Sequence, residues 1–329
     1  MATNRFCFAT LRLPPNDCVK SNQPAYIKSF RSGLLSQRIK TATRRMHACR
    51  LCPRQCGLDR LNQQQVGTCK TLDKAWVSSF QAHFGEETPL VGSHGSGTIF
   101  FTHCNLLCNF CQNIDISHGG IGQAVTDQQL ADMMLALQQA GCHNINFVTP
   151  SHVVPQILSA LAVACEQGLR IPLVYNSGGY DCVETLQLLD QIIDIYMPDF
   201  KFWDPSIAKL TCQAPDYPQT AQAALQEMHR QVGDLVMDAQ GIAQRGLLVR
   251  HLVMPEDLAG TKHVMRFIAE KISPNTYVNI MPQYHPCGDL KATPQLNRAI
   301  TRAEFKSALQ AAKQAGIKRL DEPRWGFML

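Results

Sequence analysis

Three cysteines close together in the sequence, Cys104, Cys108 and Cys111, have side chains suited to binding iron. Their CxxxCxxC spacing puts three thiolates on one short loop, where each can bind a different iron of a [4Fe-4S] cluster. The fourth iron then has no protein ligand, and an open coordination position is where a catalytic metal binds substrate or cofactor. The spacing therefore predicts a cluster with an open iron. The alternative is three unrelated cysteines in the protein core.

A second set of four cysteines lies nearer the N-terminus, at Cys49, Cys52, Cys56 and Cys69. Four thiols within this short stretch are enough for a structural zinc, a second [4Fe-4S] cluster, or redox-active pairs. Zinc sites typically present two CxxC pairs, and here only Cys49 and Cys52 have that spacing. The sequence therefore leaves zinc, a cluster and no metal all open for this possible second metal site.

The hydrophobic pattern predicts an α/β scaffold that positions these residues. From about residue 97, short apolar and often β-branched runs alternate with helical stretches, which is typical of repeated βα units and a parallel sheet. The predicted strands are Thr98–Thr102, Asn144–Val148, Leu173–Tyr175, Ile192–Met197, Gly246–Val253 and Tyr277–Met281. The predicted helices are Asp127–Gln139, Val154–Glu166, Val183–Leu189, Pro218–Ala239, Leu258–Lys271 and Ala303–Ala315.

Six βα units make a partial (β/α)6 barrel, since eight would be needed for a full one. Functional residues should then cluster where strands end and loops begin. Residues 27–47 contain helix formers and no proline, and they lead directly into the first cysteine set. We expect two domains: an N-terminal basic helix and cysteine-rich module at 1–90, and the partial barrel at 91–329.

Composition excludes several classes of protein. The 329 residues are 45% hydrophobic and 17% charged, which is typical of a compact globular protein and not of a disordered one. No secretory signal and no membrane-length apolar run is evident, so we expect a cytoplasmic protein without membrane attachment. Fourteen cysteines in a reducing compartment bind metals more often than each other. The motifs GxxxxGK[ST], HExxH and GxSxG do not occur, which leaves phosphoryl transfer and serine hydrolysis unsupported.

Positive charge is concentrated at the N-terminus. Residues 1–48 contain nine Lys or Arg and one acid, a net charge of +8 against +5 for the whole chain, so the remainder is slightly acidic. A basic segment of this kind is a solvated helix, a docking surface for an acidic protein, or an organelle transit peptide, and we favour the first two. Because the excess belongs to one arm, it does not predict nucleic-acid binding.

The cysteine loop and its surroundings resemble the radical S-adenosylmethionine (SAM) superfamily, specifically proteins akin to the pyruvate formate-lyase activating enzyme. The resemblance lies in the stretch Gly95–Phe101 leading into CNLLCNFCQN, and it extends over nearly the whole chain. The segment CRLCPRQCGLDR at 49–60 resembles a subgroup with an additional cysteine-rich N-terminal segment. Residues 83–87, 249–255 and 281–285 also resemble segments of this subgroup.

The resemblance implies that SAM chelates the open iron through its amino and carboxylate groups. One electron then cleaves the sulfonium bond, and the resulting 5′-deoxyadenosyl radical removes a hydrogen atom. In activating enzymes that hydrogen comes from a glycine of a partner protein. We therefore expect a [4Fe-4S] cluster and SAM as cofactors, a protein substrate, and a flavodoxin- or ferredoxin-type reductant.

Five further residues match positions that contact SAM in activating enzymes. Asp199 and Lys201 match an Asp-x-Lys motif, in which the carboxylate can pair with the SAM ammonium and the lysine with its carboxylate. Asn176 and Ser177 match a turn after the third strand, and His285 matches a histidine that contacts the adenosyl portion. The structural alternatives are a surface ion pair, an ordinary Asn/Gly turn and a structural histidine.

One departure from the superfamily pattern follows the second predicted strand. Where Gly-Gly-Glu usually binds the SAM amino group, this chain has Val148-Thr149-Pro150-Ser151-His152. Backbone carbonyls, Thr149 or Ser151 are the available substitutes. Two rivals remain open. One is radical SAM modification of a small molecule or maturation of a metalloprotein. The other is a non-catalytic iron–sulfur electron-transfer protein, for which this departure is the best evidence.

Overall fold

The structure, a computed structural model, describes residues 23–62 and 65–321. Its strands are β1 (Ala75–His83), β2 (Ser96–Phe101), β3 (Gln123–Val125), β4 (Ile145–Val148), β5 (Leu173–Ser177), β6 (Ile195–Pro198), β7 (Val236–Met237), β8 (Ala243–Leu252), β9 (Tyr277–Met281) and β10 (Arg319–Leu320). Its α-helices are α1 (Ala25–Arg31), α2 (Leu34–Arg44), α3 (Thr88–Val91), α4 (Ile114–Ser117), α5 (Asp127–Gln139), α6 (Val154–Glu166), α7 (Val183–Leu186), α8 (Pro205–Cys212), α9 (Tyr217–Val232), α10 (Thr261–Phe267) and α11 (Arg302–Ala315).

The sheet has the strand order β10-β9-β8-β6-β5-β4-β2-β1-β3 in the described chain, with β7 paired to β8. The run from β2 to β9 is parallel throughout, and β1 and β3 add an antiparallel edge beside β2. This is a mixed α/β fold with a mostly parallel sheet, and it confirms the predicted fold class. Each of the six predicted strands overlaps one of the six strands in the run from β2 to β9, and β10, which pairs in parallel with β9, was not predicted.

The helices agree with the sequence where a cap or a long apolar face defines them. Helix α5 begins after Thr126, whose side chain and that of Gln129 form a capping box, and α6 has the predicted ends. The predicted helix at 27–47 is divided into α1 and α2 at Gly33, which has φ of 79°. The predicted helix Pro218–Ala239 ends earlier, at Val232, and α8 precedes it.

Hydrophobic side chains fill both sides of the sheet. The larger cluster lies between sheet and helices, and it includes Tyr26 of α1 and Leu35 of α2, both buried. A smaller cluster on the other side of the sheet contains Leu90, Val174 and Leu248. The expected domain boundary near residue 90 falls between β1 and β2. These two strands are hydrogen-bonded neighbours, so the N-terminal module and the partial barrel share one sheet. In the described residues, no helix combines the length and apolar character needed to cross a bilayer.

Candidate functional site

The CxxxCxxC cysteines lie in an irregular loop that begins directly after β2. Cys108 is buried, whereas Cys104 and Cys111 are half-buried. The end of α8 supports the loop backbone, because Asn109 N donates to Thr211 O at 2.8 Å and Leu107 N donates to Cys212 O at 3.4 Å. The loop therefore depends on a contact with a distant helix as well as on its own sequence.

A second segment, which follows β9, covers the same loop. The Cys287 thiol donates to Phe110 O at 3.1 Å, and Asn109 Nδ2 donates to Thr293 Oγ1 at 3.2 Å. Gly288 has φ of 74°, and a Cβ atom there would lie 2.1 Å from Asn109 O. Any side chain at position 288 would therefore push this segment away from the cysteine loop.

The donor set fits an iron–sulfur cluster. All three thiols are free, and thiolates are the ligands that such clusters take. Nowhere in residues 23–62 and 65–321 do three His, Cys, Asp or Glu side chains converge tightly enough for a single metal ion. A cubane does not need that convergence, since each thiolate binds a different iron. Burial raises the pKa of Cys104 to about 12, so metal binding here releases a proton.

Asp199 and Lys201 follow β6 at the same edge of the sheet as the cysteine loop, because β2 and β6 belong to one parallel run. Lys201 Nζ lies 2.6 Å from Asp199 Oδ2, and both side chains are mostly buried. Burial alone raises the pKa of Asp199, but the cations of Arg250 and Lys201 outweigh it and the net shift is downward. Burial lowers the pKa of Lys201, but the negative charges of Asp199 and then Cys108 raise it by more, so the net shift of the pKa is upward. This pair is therefore ionised and internal rather than a surface ion pair.

Arg250 of β8 extends this polar network, and the sequence interpretation gave it no role. Its Nε donates to Asp199 Oδ1 at 2.8 Å and its Nη2 donates to Asn176 Oδ1 at 2.7 Å. Its Nη1 lies 3.7 Å from Glu86 Oε2. The sequence does contain a signal for Arg250: it is a charged residue inside the apolar run 246–253, and a charge in a buried strand needs partners.

The network extends to Glu87, on whose carboxyl the charge of Arg250 acts, and further buried polar atoms lie on the sheet. Asn279 Nδ2 of β9 donates to Glu87 Oε1 at 2.9 Å. Burial raises the pKa of Glu87, against the opposing effect of Arg250. Glu87 Oε2 and both side-chain amide atoms of Asn146 are buried with no hydrogen-bond partner in the described part of the chain. Orphaned polar atoms at this depth are what a polar ligand would satisfy.

The sequence predicted Asn176 and Ser177 in a turn after the strand, but the structure has both within β5, at its end. Their side chains have different surroundings. Asn176 accepts from Arg250 within the network, whereas Ser177 Oγ donates to the buried carboxylate of Asp181 at 2.6 Å. Ser151 also hydrogen-bonds Asp181. Both serine hydroxyls are thus engaged in a structural cluster. Of the substitutes considered for Gly-Gly-Glu, this leaves the backbone and Thr149, which has φ of 62°.

His285 lies past the end of β9 and is exposed. Its Nδ1 is 3.5 Å from Nε2 of Gln112, the residue that follows Cys111. The structure therefore brings His285 to the rim of the cysteine loop, at the same edge as Asp199 and Lys201.

The N-terminal cysteines form a group of their own between α2 and β1. Cys49, Cys52 and Cys69 are buried and Cys56 is half-buried, and all four thiols are free. Burial raises the pKa of Cys52, and the charges of Cys69, Cys49 and Cys56 raise it further, which shows that the four lie near one another. The single-ion convergence that a zinc site needs is not formed by these described side chains.

Comparison with known proteins finds a relative that covers most of the chain. No family model matches the chain. Two solved structures are similar over part of it: TYW1 with a lysine–pyruvate adduct bound (TM-score 0.40, 9% identity, 68% of this chain and 74% of that one), and the cobalamin-dependent S-adenosylmethionine radical enzyme OxsB with aqua-cobalamin bound (TM-score 0.37, 11% identity, 67% of this chain and 31% of that one). At such scores neither similarity decides what this chain does.

The relative is the uncharacterized protein MJ0674 of Methanocaldococcus jannaschii. It is 30% identical over 303 residues, which cover 90% of this chain and 82% of that protein. An alignment of that length takes in most of the sheet, the cysteine loop and the N-terminal cysteine segment. The chain belongs to the same protein family as MJ0674.

Proposed function

We propose that the protein is a radical SAM iron–sulfur enzyme of the activating-enzyme type. One observation carries the proposal: the three-cysteine loop after β2 and the ionised Asp199–Lys201 pair after β6 occupy the same edge of the parallel sheet. The charge of Lys201 acts on both Cys104 and Cys108, so the polar network reaches the thiols. A polar site beside an open iron is what a zwitterionic ligand such as SAM requires.

In this proposal, Cys104, Cys108 and Cys111 each bind one iron and leave the fourth iron open. SAM, when bound there and supplied with one electron, provides a 5′-deoxyadenosyl radical that removes a hydrogen atom. Asp199 is held ionised by Arg250 and Lys201, so it can pair with the SAM ammonium, while Lys201 pairs with the SAM carboxylate. Asn176 is held by Arg250 at the same network. His285, at the rim, would contact the adenosyl portion.

The rim of the cysteine loop is exposed, which suits a protein substrate. Gln112, Asn113 and His285 are exposed around the cysteine loop. A loop of another protein could therefore reach this exposed rim, although the segment after β9 covers part of the cysteine loop. We propose a glycine residue of such a loop as the hydrogen donor.

The one-electron reductant is proposed to be an acidic flavodoxin or ferredoxin. Four basic side chains on α1 and α2 are exposed: Lys28, Arg31, Lys40 and Arg44. Electrostatic attraction would steer an acidic partner toward these side chains before the two proteins touch. Residues 1–22 of the basic arm, with Arg5, Arg12 and Lys20, lie outside the described residues.

An isotope experiment tests the proposed class of reaction. The anaerobically reconstituted protein, SAM and dithionite are added to an extract of cells grown on deuterated glycine, and the 5′-deoxyadenosine formed is examined by mass spectrometry. Deuterium in that product supports hydrogen removal from glycine. Cleavage of SAM without deuterium favours the small-molecule or metalloprotein-maturation alternative, and an intact cluster that never cleaves SAM favours the electron-transfer alternative.

A further inference from the structure

The segment between α2 and β1 is unusually irregular for a buried part of a protein. The described residues from 45 to 74 contain neither helix nor strand. Their own hydrophobic cluster is small, with Met46, Cys49 and Leu51 buried and Leu61 packed against them. Long irregular segments with a small core are commonly stabilised by a cross-link or a metal, in addition to hydrogen bonds such as those of the buried Arg60.

The backbone of this segment brings the four cysteines together. Cys49 N donates to Leu58 O at 2.9 Å, and Gly57 N donates back to Cys49 O at 3.0 Å, which places Cys49 beside Cys56. At Gly67 a Cβ atom would lie 2.7 Å from Cys56 Sγ, so the chain passes closely over that thiol just before Cys69. Gln55 N donates to Cys52 O at 3.0 Å and closes the turn between the two middle cysteines.

We propose that Cys49, Cys52, Cys56 and Cys69 bind a second [4Fe-4S] cluster. Iron–sulfur ligation suits these thiols better than zinc, because zinc sites typically present two CxxC pairs and only Cys49 and Cys52 have that spacing, whereas a cubane binds each thiolate at a different iron. Four ligands would close every iron, in contrast to the open cluster at Cys104, Cys108 and Cys111. The second cluster is therefore structural or electron-carrying and not a SAM site.

Arg54, within this segment, connects the two cysteine sets. Its Nε donates to Asn105 O at 2.9 Å, inside the CxxxCxxC loop, and its Nη2 donates to Cys212 O at 3.1 Å. Its guanidinium carbon also lies 5.3 Å from the centre of the Tyr180 ring. Order in the N-terminal segment thus fixes a side chain that holds the catalytic loop, and loss of the second cluster should loosen the first.

This link is tested with Arg54→Ala, using Arg50→Ala as the control because Arg50 is an exposed arginine of the same segment. Both variants should bind the same amount of iron as the unchanged protein. During incubation with an iron chelator, Arg54→Ala should release iron from the catalytic loop several-fold faster than Arg50→Ala. Equal release rates would overturn the link between the two sites.

Metal analysis of the full chain, reconstituted anaerobically, tests the second cluster itself. The unchanged protein should contain about eight irons, and both the Cys52→Ala variant and the triple variant of Cys104, Cys108 and Cys111 to Ala should contain about four. Cys165→Ala, at a half-buried cysteine outside both sets, should retain them all. About four irons plus one zinc in the unchanged protein, or about four irons alone, would overturn the proposal.

A second measurement avoids dependence on whether a variant folds. In the unchanged protein, the four N-terminal cysteines should resist alkylation until the iron is removed by chelation, and mass spectrometry identifies each labelled thiol. Labelling of all four before chelation, or a disulfide between any two, would contradict the proposal. The triple variant keeps only the N-terminal cysteines, so its iron content tests the second cluster alone. This inference can therefore fail or succeed independently of the proposed radical SAM function, on which it does not depend.

Discussion

Cys212 Sγ lies 3.3 Å from Cys108 Sγ, although 104 positions separate the two residues. Cys212 is fully buried at the end of α8, outside the CxxxCxxC motif. In the proposed cluster, iron would deprotonate Cys108, and the Cys212 thiol would then be the hydrogen-bond donor in this pair. Hydrogen bonds to ligand sulfur are one of the factors that set the reduction potential of a cluster.

Replacing Cys212 should therefore change the potential of the catalytic cluster without removing its iron. Cys212→Ala removes the hydrogen-bond donor. The reduction potential should then become more negative, because the negative charge that the reduced cluster carries on sulfur is less well stabilised. Cys212→Ser keeps a donor and should lie closer to the unchanged protein. Potentiometric titration followed by electron paramagnetic resonance measures both, with Cys142→Ala as a control at another buried thiol. Identical potentials in all variants would show that Cys212 only packs against the loop.

This contact illustrates what the sequence could and could not predict. The six parallel strands and α5 were predictable, because apolar runs and a capping box are local patterns. Strand β1 was missed because more than half of its residues are exposed, Trp76 and Phe80 among them, so it has no buried apolar run, and it is held by pairing with β2 and β3. The Cys108–Cys212 contact and the position of Arg250 depend on which distant elements meet, and no local pattern encodes that.

Asp199 and Lys201 should contribute to SAM affinity. Asp199→Asn and Lys201→Ala remove one member each of a buried ion pair, and a charge-assisted contact of this kind is worth roughly ten- to a hundred-fold in affinity. Equilibrium dialysis of SAM against the anaerobic protein measures the loss, and iron content should not change. Arg230→Ala, which breaks an ion pair with Glu227 at a largely exposed arginine, is the control and should bind SAM normally. Unaltered affinity in both site variants would make the pair purely structural.

Reversing the exposed charges of α1 and α2 should slow electron delivery. Deleting the arm is a poor test because Tyr26 and Leu35 belong to the main core, so we specify a variant with Lys28, Arg31, Lys40 and Arg44 all changed to Glu. SAM cleavage driven by flavodoxin should be slower at low salt, and the deficit should shrink at high salt as screening increases. With dithionite, which needs no docking, rates should be equal.

The control for this experiment carries the same charge change elsewhere. It changes Lys262, Lys271, Lys306 and Lys313, all exposed, to Glu. It should behave like the unchanged protein with flavodoxin at low salt. Equal slowing in both variants would indicate a general charge effect and count against docking at α1 and α2.

Asp194 should make the stability of the protein depend on pH. Its carboxylate accepts from Ala25 N at 2.8 Å and Leu173 N at 3.0 Å, which ties α1 to β5. Burial nevertheless raises the pKa of Asp194 to about 6. The folded state then holds a proton that the unfolded state has released, so this group's contribution falls as pH rises from about 4 to about 6.

Urea unfolding at several pH values measures this contribution as a difference from Asp194→Asn, which cannot ionise. Relative to that variant, the unchanged protein should lose up to roughly 3 kcal/mol of unfolding free energy between about pH 4 and pH 7. Asp132→Asn, at an exposed carboxylate on α5, serves as the control and should show no such trend. A difference that is constant with pH would mean that Asp194 is not shifted upward.

Formation of 5′-deoxyadenosine from SAM, measured under anaerobic conditions with dithionite, tests the central claim most directly. The reconstituted protein should form it, and Cys104→Ala, Cys108→Ala and Cys111→Ala should each abolish it, because three thiolates are needed to hold the cluster with one iron open. Cys165→Ala, at a thiol outside both cysteine sets, should retain the activity. Normal SAM cleavage by any one of the three loop variants would contradict the assignment of a radical SAM site.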